Sequence, residues 1–171
     1  MVRGHGAVKT EPSRTFLAQE ELVYTLTVPS DAVLKLMNRT HRVLIAVSGG
    51  RAGRSFSGMP VVELTTIGRK SGQPRSCMLT SPYQDGDRTY IVASRGGDDH
   101  NPAWFLNLAN NPEVTVSIQG GAAQKMHAAV ADHAERARVW PLITSEHTNY
   151  ANYQKKTQRE IPLVVLTPAG N

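Results

Sequence analysis

Between Leu64 and Arg75 the chain places three cations, Arg69, Lys70 and Arg75, around Gly68 and Gly72, with a hydroxyl at Ser71. Glycines let the backbone turn tightly and expose N–H groups. A guanidinium fork and an ammonium beside them form the donor set that a phosphate recruits. The same residues would also serve a solvated hairpin tip, and the turn by itself does not separate the two. The spacing matches neither GxxxxGK[ST] nor GxGxxG. A second stretch, from Ser94-Arg95-Gly96-Gly97 to Trp104 and Asn107, leaves a strand, crosses a glycine pair and enters a helix. Backbone N–H groups at such a helix start can meet an anion or a polar ring edge. Trp104 and Asn107 stand three apart and so share a helix face. A plainer reading makes Trp104 core and Asn107 a cap. His147, Tyr150 and Tyr153 also follow at three-residue steps, on a helical face spanning about 120°. They fit an acceptor pocket, or an amphipathic surface with one buried tyrosine.

These groups need a scaffold, and the pattern around them is mostly β. Met59 to Ile67 and Arg75 to Gln84 are predicted strands joined by the Gly68–Pro74 connection. Asp85-Gly86-Asp87 turns the chain into a strand from Arg88 to Ser94. Asn101 and Pro102 read as the N-cap and first position of a short helix reaching Ala109. Glu113 to Gln119 alternates apolar and polar residues, and Gly120-Gly121 turns it into Gln124 to Ala131. Asp132 and Glu135 have capping-box spacing for a helix carrying Val139 and Trp140, which Pro141 is expected to kink or restart. A short helix near Asn149 to Lys156 precedes a last strand, Ile161 to Thr167. The sum is a mainly β, α+β domain: a split antiparallel β-barrel of about six strands with a few short helices, because closure removes exposed edges. Residues 1–30 read as a poorly ordered extension and 31–171 as the single domain.

Composition narrows the function. The chain has 171 residues, 19 Lys plus Arg against 14 Asp plus Glu, and a formal net charge of +5, which favours an anionic partner. Aromatics are only 6% and form no stacking motif, so nucleic acid is a poor fit. One cysteine, Cys77, excludes an internal disulfide, and no HxxxH or HExxH pair supports a metal site. No run approaches the ~20 apolar residues of a spanning helix, so the chain reads as cytoplasmic. Residues 32–47 read as a basic amphipathic helix, packed on the barrel or resting on the inner face of the cell membrane.

Taken together, the motifs closely resemble the deazaflavin-dependent nitroreductase family, also called flavin/deazaflavin oxidoreductases, whose barrel is FMN-binding-like. The likeness rests on Gly68-Arg69-Lys70-Ser71-Gly72 with Arg75, on Ser94-Arg95-Gly96-Gly97, and on Pro102-Ala103-Trp104 with Asn107-Leu108 and Asn111-Pro112. Tyr150, Tyr153, Thr157, Arg159 and Ile161-Pro162 continue it, so that it covers roughly residues 35–168. The resemblance implies coenzyme F420, an 8-hydroxy-5-deazaflavin with a phosphate and an oligoglutamate tail, bound by residues matching Lys70, Arg75, Ser94, Arg95, Trp104 and Asn107. Arg69, Ser71 and Gly96 belong to the same loops, and Arg51 and Arg54 would hold tail carboxylates. It further implies an enzyme that passes hydride from the reduced deazaflavin to an electron-poor small molecule: a quinone, an enone or a nitroaromatic. Three tyrosines close over the acceptor in nitroreductase-type members; here His147 replaces the first, beside Tyr150 and Tyr153. Those three and Ser94 are the expected catalytic residues. The same barrel could instead hold FMN or a haem derivative, as an oxidoreductase or a carrier, in a monomer or a homodimer.

Overall fold

The computed structural model describes residues 55–170. The expected extension over 1–30, the 32–47 helix, Arg51 and Arg54 lie outside the described residues. The strands are β1 (Ser55–Phe56), β2 (Met59–Ile67), β3 (Pro74–Thr80), β4 (Tyr83–Asp85), β5 (Arg88–Val92), β6 (Glu113–Ile118), β7 (Gln124–Val130) and β8 (Leu163–Pro168). The helices are α1 (Ala103–Leu108), α2 (His133–Glu146) and α3 (Thr148–Lys155), with a 3-10 turn at Arg95–Gly97. The strands form one antiparallel sheet in the order β1-β2-β6-β7-β8-β5-β4, with β3 also paired to β2. Val62 faces Leu79 on one side and Ile118 on the other, so β2 runs between β3 and β6. The sheet curls into a split barrel.

Period-two alternation sorts the side chains into two cores. Val62, Leu64, Ile91, Val114, Val116, Met126, Val164 and Leu166 fill the barrel, and Leu108 of α1 joins them. Tyr90, Val92, Leu163 and Val165, from the opposite faces of β5 and β8, pack with Val139 and Ile143 of α2 and Tyr150 of α3. Burying one such Leu or Ile contributes roughly 1.5–3 kcal/mol, so the alternation fixes the register.

Eight strands replace the expected six or so, because the expected Arg75–Gln84 strand breaks at Ser81-Pro82 and the two-residue β1 pairs with β2. Proline has no N–H for the ladder. The Ser81 N–H donates to the Pro60 carbonyl at 2.9 Å, and its hydroxyl turns to the Tyr83 carbonyl at 2.9 Å. The helix expected to kink or restart at Pro141 runs through it and ends at His147. Asp132 caps α2, its side chain accepting the Glu135 N–H at 2.8 Å.

A polar cluster fastens α2 to the β4–β5 hairpin. The fully buried Tyr90 donates its hydroxyl to the Glu135 carboxylate. Arg138 reaches the same carboxylate at 3.1 Å and Asp85 at 3.2 Å, and Arg88 reaches Glu135 at 3.1 Å. The Tyr90 hydrogen bond, with Arg138 and Arg88, holds the Glu135 carboxyl below the usual carboxylate range against the opposing effect of burial. Burial and the bond to Glu135 push Tyr90 up to about 12. A depressed carboxyl stabilises the fold above its unfolded pKa of 4.5 and loses that contribution as pH falls through the folded value. Glu135→Gln should therefore cost about 1–3 kcal/mol at neutral pH. The gap from wild type in urea midpoints should narrow from about pH 4.5 downward.

Candidate functional site

The hairpin between β2 and β3 closes on itself through the Gly68 N–H to the Gln73 carbonyl at 2.9 Å, with Gly72 N–H returning to Gly68 at 2.7 Å. Gly72 has φ +65°, which glycine adopts without strain. The Gln73 N–H donates to the Ser71 hydroxyl at 3.3 Å, so Ser71 shapes the tip as well as facing the cavity. Arg69 and Lys70 project from that tip and are exposed.

One buried amide ties this hairpin to α1. Asn107 donates its side-chain N–H to the Thr66 hydroxyl at 3.1 Å and accepts the Arg69 backbone N–H at 3.2 Å. Thr66 donates in turn to the Arg75 carbonyl at 3.3 Å. The base of the hairpin, its tip and α1 are thus joined by three hydrogen bonds, and both buried side chains are satisfied. Asn107 is a cross-brace rather than a helix cap.

Helix α1 begins one residue later than expected, with Pro102 in the capping position. The Asn101 side chain does not cap it, because its Oδ1 accepts from Arg159 at 2.8 Å. Trp104 lies half-buried, edge-on to Phe105 with ring centroids 6.2 Å apart, and packs against the barrel core. The Ser94–Asn101 loop brings Arg95 alongside; its Nε stands 3.9 Å from Asp98. The His100 N–H at 2.7 Å is the main reason the Asp98 carboxyl sits below its ordinary value, with the His100 ring and Arg95 adding to it.

These elements enclose a cavity of about 790 Å³ whose walls include Arg69, Lys70, Ser71, Arg75, Arg95, Trp104 and Asn107. Thr66, Cys77 and His100 also line it, and no Asp or Glu does among the described residues. Four cations facing one space without a carboxylate repel one another, and an anionic occupant removes that cost. Seven of the nine residues expected to bind a cofactor therefore meet in one cavity. Ser94 and Gly96 stay in the backbone of the adjoining loop: the Ser94 carbonyl accepts the Gly97 N–H at 3.0 Å, and Gly96 has φ +71°.

The expected acceptor trio lies elsewhere. Tyr150 is only 6% exposed; its hydroxyl is 3.2 Å from the Thr80 hydroxyl and 3.8 Å from the Met59 sulfur. Burial raises its pKa, which the Thr80 bond partly offsets. Tyr153 is half-buried, edge-on to Tyr150 at 6.0 Å, with the Lys156 ammonium 5.8 Å from its ring centroid. His147 occupies the junction between α2 and α3 rather than a shared helix face. Sequence reasoning gave no separate role to Arg159, His100 or Thr66. Their partners lie far away in sequence, and no local signal announces them.

A split barrel that offers a cationic, carboxylate-free cavity beside an indole defines a binder of an extended anionic cofactor. The chain belongs to the F420H(2)-dependent quinone reductase family, whose model matches residues 36–168. An F420H(2)-dependent quinone reductase of Mycobacterium tuberculosis is 39% identical over 132 residues, spanning 75% of this chain and 88% of that one. Among solved structures, an F420-H2 dependent reductase (FDR-A) is 36% identical, with TM-score 0.55 over 63% of this chain and 93% of that chain. Another, described as a domain-swapped dimer, is 28% identical, with TM-score 0.56 over 90% of this chain and 99% of that chain.

The cross-brace generates a prediction. Asn107→Ala should lower stability by about 1–3 kcal/mol, since it strips the Arg69 N–H and Thr66 hydroxyl of a buried partner. Exchange of the Arg69 amide, followed by NMR, should speed up more than that of amides in β8.

Proposed function

We propose that this chain is an F420H2-dependent oxidoreductase that holds the coenzyme in the 790 Å³ cavity and reduces a quinone there. The observation that carries the reading is the set of four cations around that space with no carboxylate among the described lining residues. A coenzyme bearing a phosphate and several carboxylates satisfies that set. Reduced coenzyme F420, when bound, supplies a hydride, so two electrons leave it in one event.

The chain's own residues do the rest. Lys70 and Arg75, at the tip and base of one hairpin, grip the anionic portion as a point charge and a fork. Trp104 offers an apolar wall that excludes water beside the ring system. Ser71 and Arg95 complete the rim. Converting a quinone to its quinol requires one proton beyond the hydride. Tyr153, whose carbonyl packs against Gly97, and Ser94, next to Arg95, flank the cavity without lining it and would orient the acceptor or pass that proton from water. The Tyr150 phenol is buried against Thr80 and Met59 and anchors α3 to the sheet. Quinones dissolve in lipid, and the basic 32–47 segment would bring the cavity to an anionic membrane face. Among the described residues no helix is long and apolar enough to cross a membrane.

Purified protein should oxidise F420H2 in the presence of a menaquinone analogue, followed by absorbance, and should bind F420 more tightly than FMN. Lys70→Ala and Arg75→Ala should each raise the F420 dissociation constant about tenfold to a hundredfold with little change in melting temperature. Tyr153→Phe should leave F420 binding intact and lower turnover by up to about 10²-fold if its phenol passes the proton. Nitroaromatics and enones belong in the acceptor panel as competitors. Saturable FMN binding with none for F420 would overturn the coenzyme assignment. F420 binding with no turnover on any acceptor would leave a carrier.

A further inference from the structure

The loop that carries Arg95 into the cavity has an unusual backbone. Three consecutive residues take positive φ: Arg95 at 48°, Gly96 at 71° and Gly97 at 88°. For a side chain as large as Arg95 that conformation costs on the order of 1–2 kcal/mol. Within the loop, Gly97 N–H reaches the Ser94 carbonyl at 3.0 Å and Asp98 N–H the Arg95 carbonyl at 3.4 Å, while the Asp98 carboxylate accepts the His100 N–H at 2.7 Å and stands 3.9 Å from Arg95 Nε. A further restraint comes from outside.

Arg159 supplies it. Its Nη2 donates to the carbonyls of Ala93 at 3.1 Å and Ser94 at 3.0 Å, gripping the strand end that enters the loop. Its Nε donates to the Asp98 carbonyl at 2.8 Å and its Nη1 to the Asn101 side chain at 2.8 Å, gripping the exit. Every partner is an oxygen of the loop or its stem. Thr157 adds a hydroxyl donation to Asp99 at 2.7 Å. Beneath the turn, Gly97 is packed so closely that a Cβ there would stand 2.7 Å from the Tyr153 carbonyl and 3.0 Å from Lys156 Cβ. Arg159 itself is not among the cavity's lining residues. A planar guanidinium reaches both ends of the loop at once; an ammonium cannot.

We propose that Arg159 is a positioning residue for the coenzyme cavity: it holds the Ser94–Asn101 loop in the conformation that presents Arg95 and α1, and tight binding of the anionic coenzyme depends on it. The proposal rests on the coenzyme reading above. Because Arg159 follows α3 directly, the same contacts couple the Tyr153 helix to the coenzyme loop.

The test uses the full chain with Arg159→Lys and Arg159→Ala. It measures F420 dissociation by fluorescence, melting temperature, and amide exchange at Gly97 and Asp98, each with and without millimolar guanidinium chloride. Arg159→Lys is expected to stay folded, to exchange faster at those two amides and to bind F420 about tenfold or more weakly. Guanidinium ion should restore binding and slow exchange in Arg159→Ala, while the same concentration of sodium chloride should not. If Arg159→Ala does not fold, Arg159→Lys gives the same readings except rescue. Unchanged F420 affinity in a folded variant would overturn the proposal. So would a loss of binding that only tracks the unfolded fraction. Should wild type bind no F420, the coenzyme reading falls separately, and the exchange and its rescue still report whether Arg159 holds the loop.

Discussion

Strand β8 pairs with β7 on one side and with β5 on the other, and its residues Leu163 to Leu166 are buried on both faces. Val164 and Leu166 point into the barrel, while Leu163 and Val165 point under α2 and α3. A strand apolar on both faces belongs in the middle of a structure, and here it separates the two cores. Just ahead of it, the Pro162 carbonyl accepts the Ala93 N–H at 2.9 Å, which sets Arg159 directly below the Ser94–Asn101 loop. The position of β8 thus decides where the cavity's second wall stands.

The cavity's cations depend on neutral groups for their placement. Asn107 and Thr66 set the hairpin bearing Arg69, Lys70 and Arg75, and backbone carbonyls hold the Arg159 guanidinium that sets the loop of Arg95. At the hairpin these neutral supports add no countercharge of their own, whereas on the loop Arg95 keeps Asp98 3.9 Å from its Nε.

Much of this architecture was legible because it is locally encoded. The alternation in 113–118 and the glycine turns at 86 and 120 announce their strands and hairpins without help from the rest of the chain. The clustering of Arg69, Lys70, Ser71 and Arg75 was equally plain, being contained in one turn. What escaped was set by distant partners. Asn107 reads as a cap until the Arg69 amide, 38 residues away, arrives at its Oδ1. Arg159 has no role of its own in the sequence until carbonyls 65 and 66 residues earlier meet it. Tyr150 and Tyr153 share a helical spacing, but only packing against Met59 and Thr80 shows which phenol turns inward. Pro82 marked the break in the long strand, and the β propensity of its neighbours masked it.

The place of β8 in the sheet also orders the birth of the molecule. It follows every other strand in the chain, yet β5 and β7 meet only across it. While the ribosome is still making α2 and α3, the β2–β6–β7 portion and the β4–β5 hairpin exist as two fragments with a missing strand between them. Each shows an unpaired edge and half an apolar interior, the kind of surface on which nascent chains stick to one another. Closure has to wait until residues 163–168 clear the exit tunnel, and it pairs segments far apart in sequence, which makes it a slow step. For this barrel, closure waits on β8, and its quality in the cell rests on whatever shields those two edges until then.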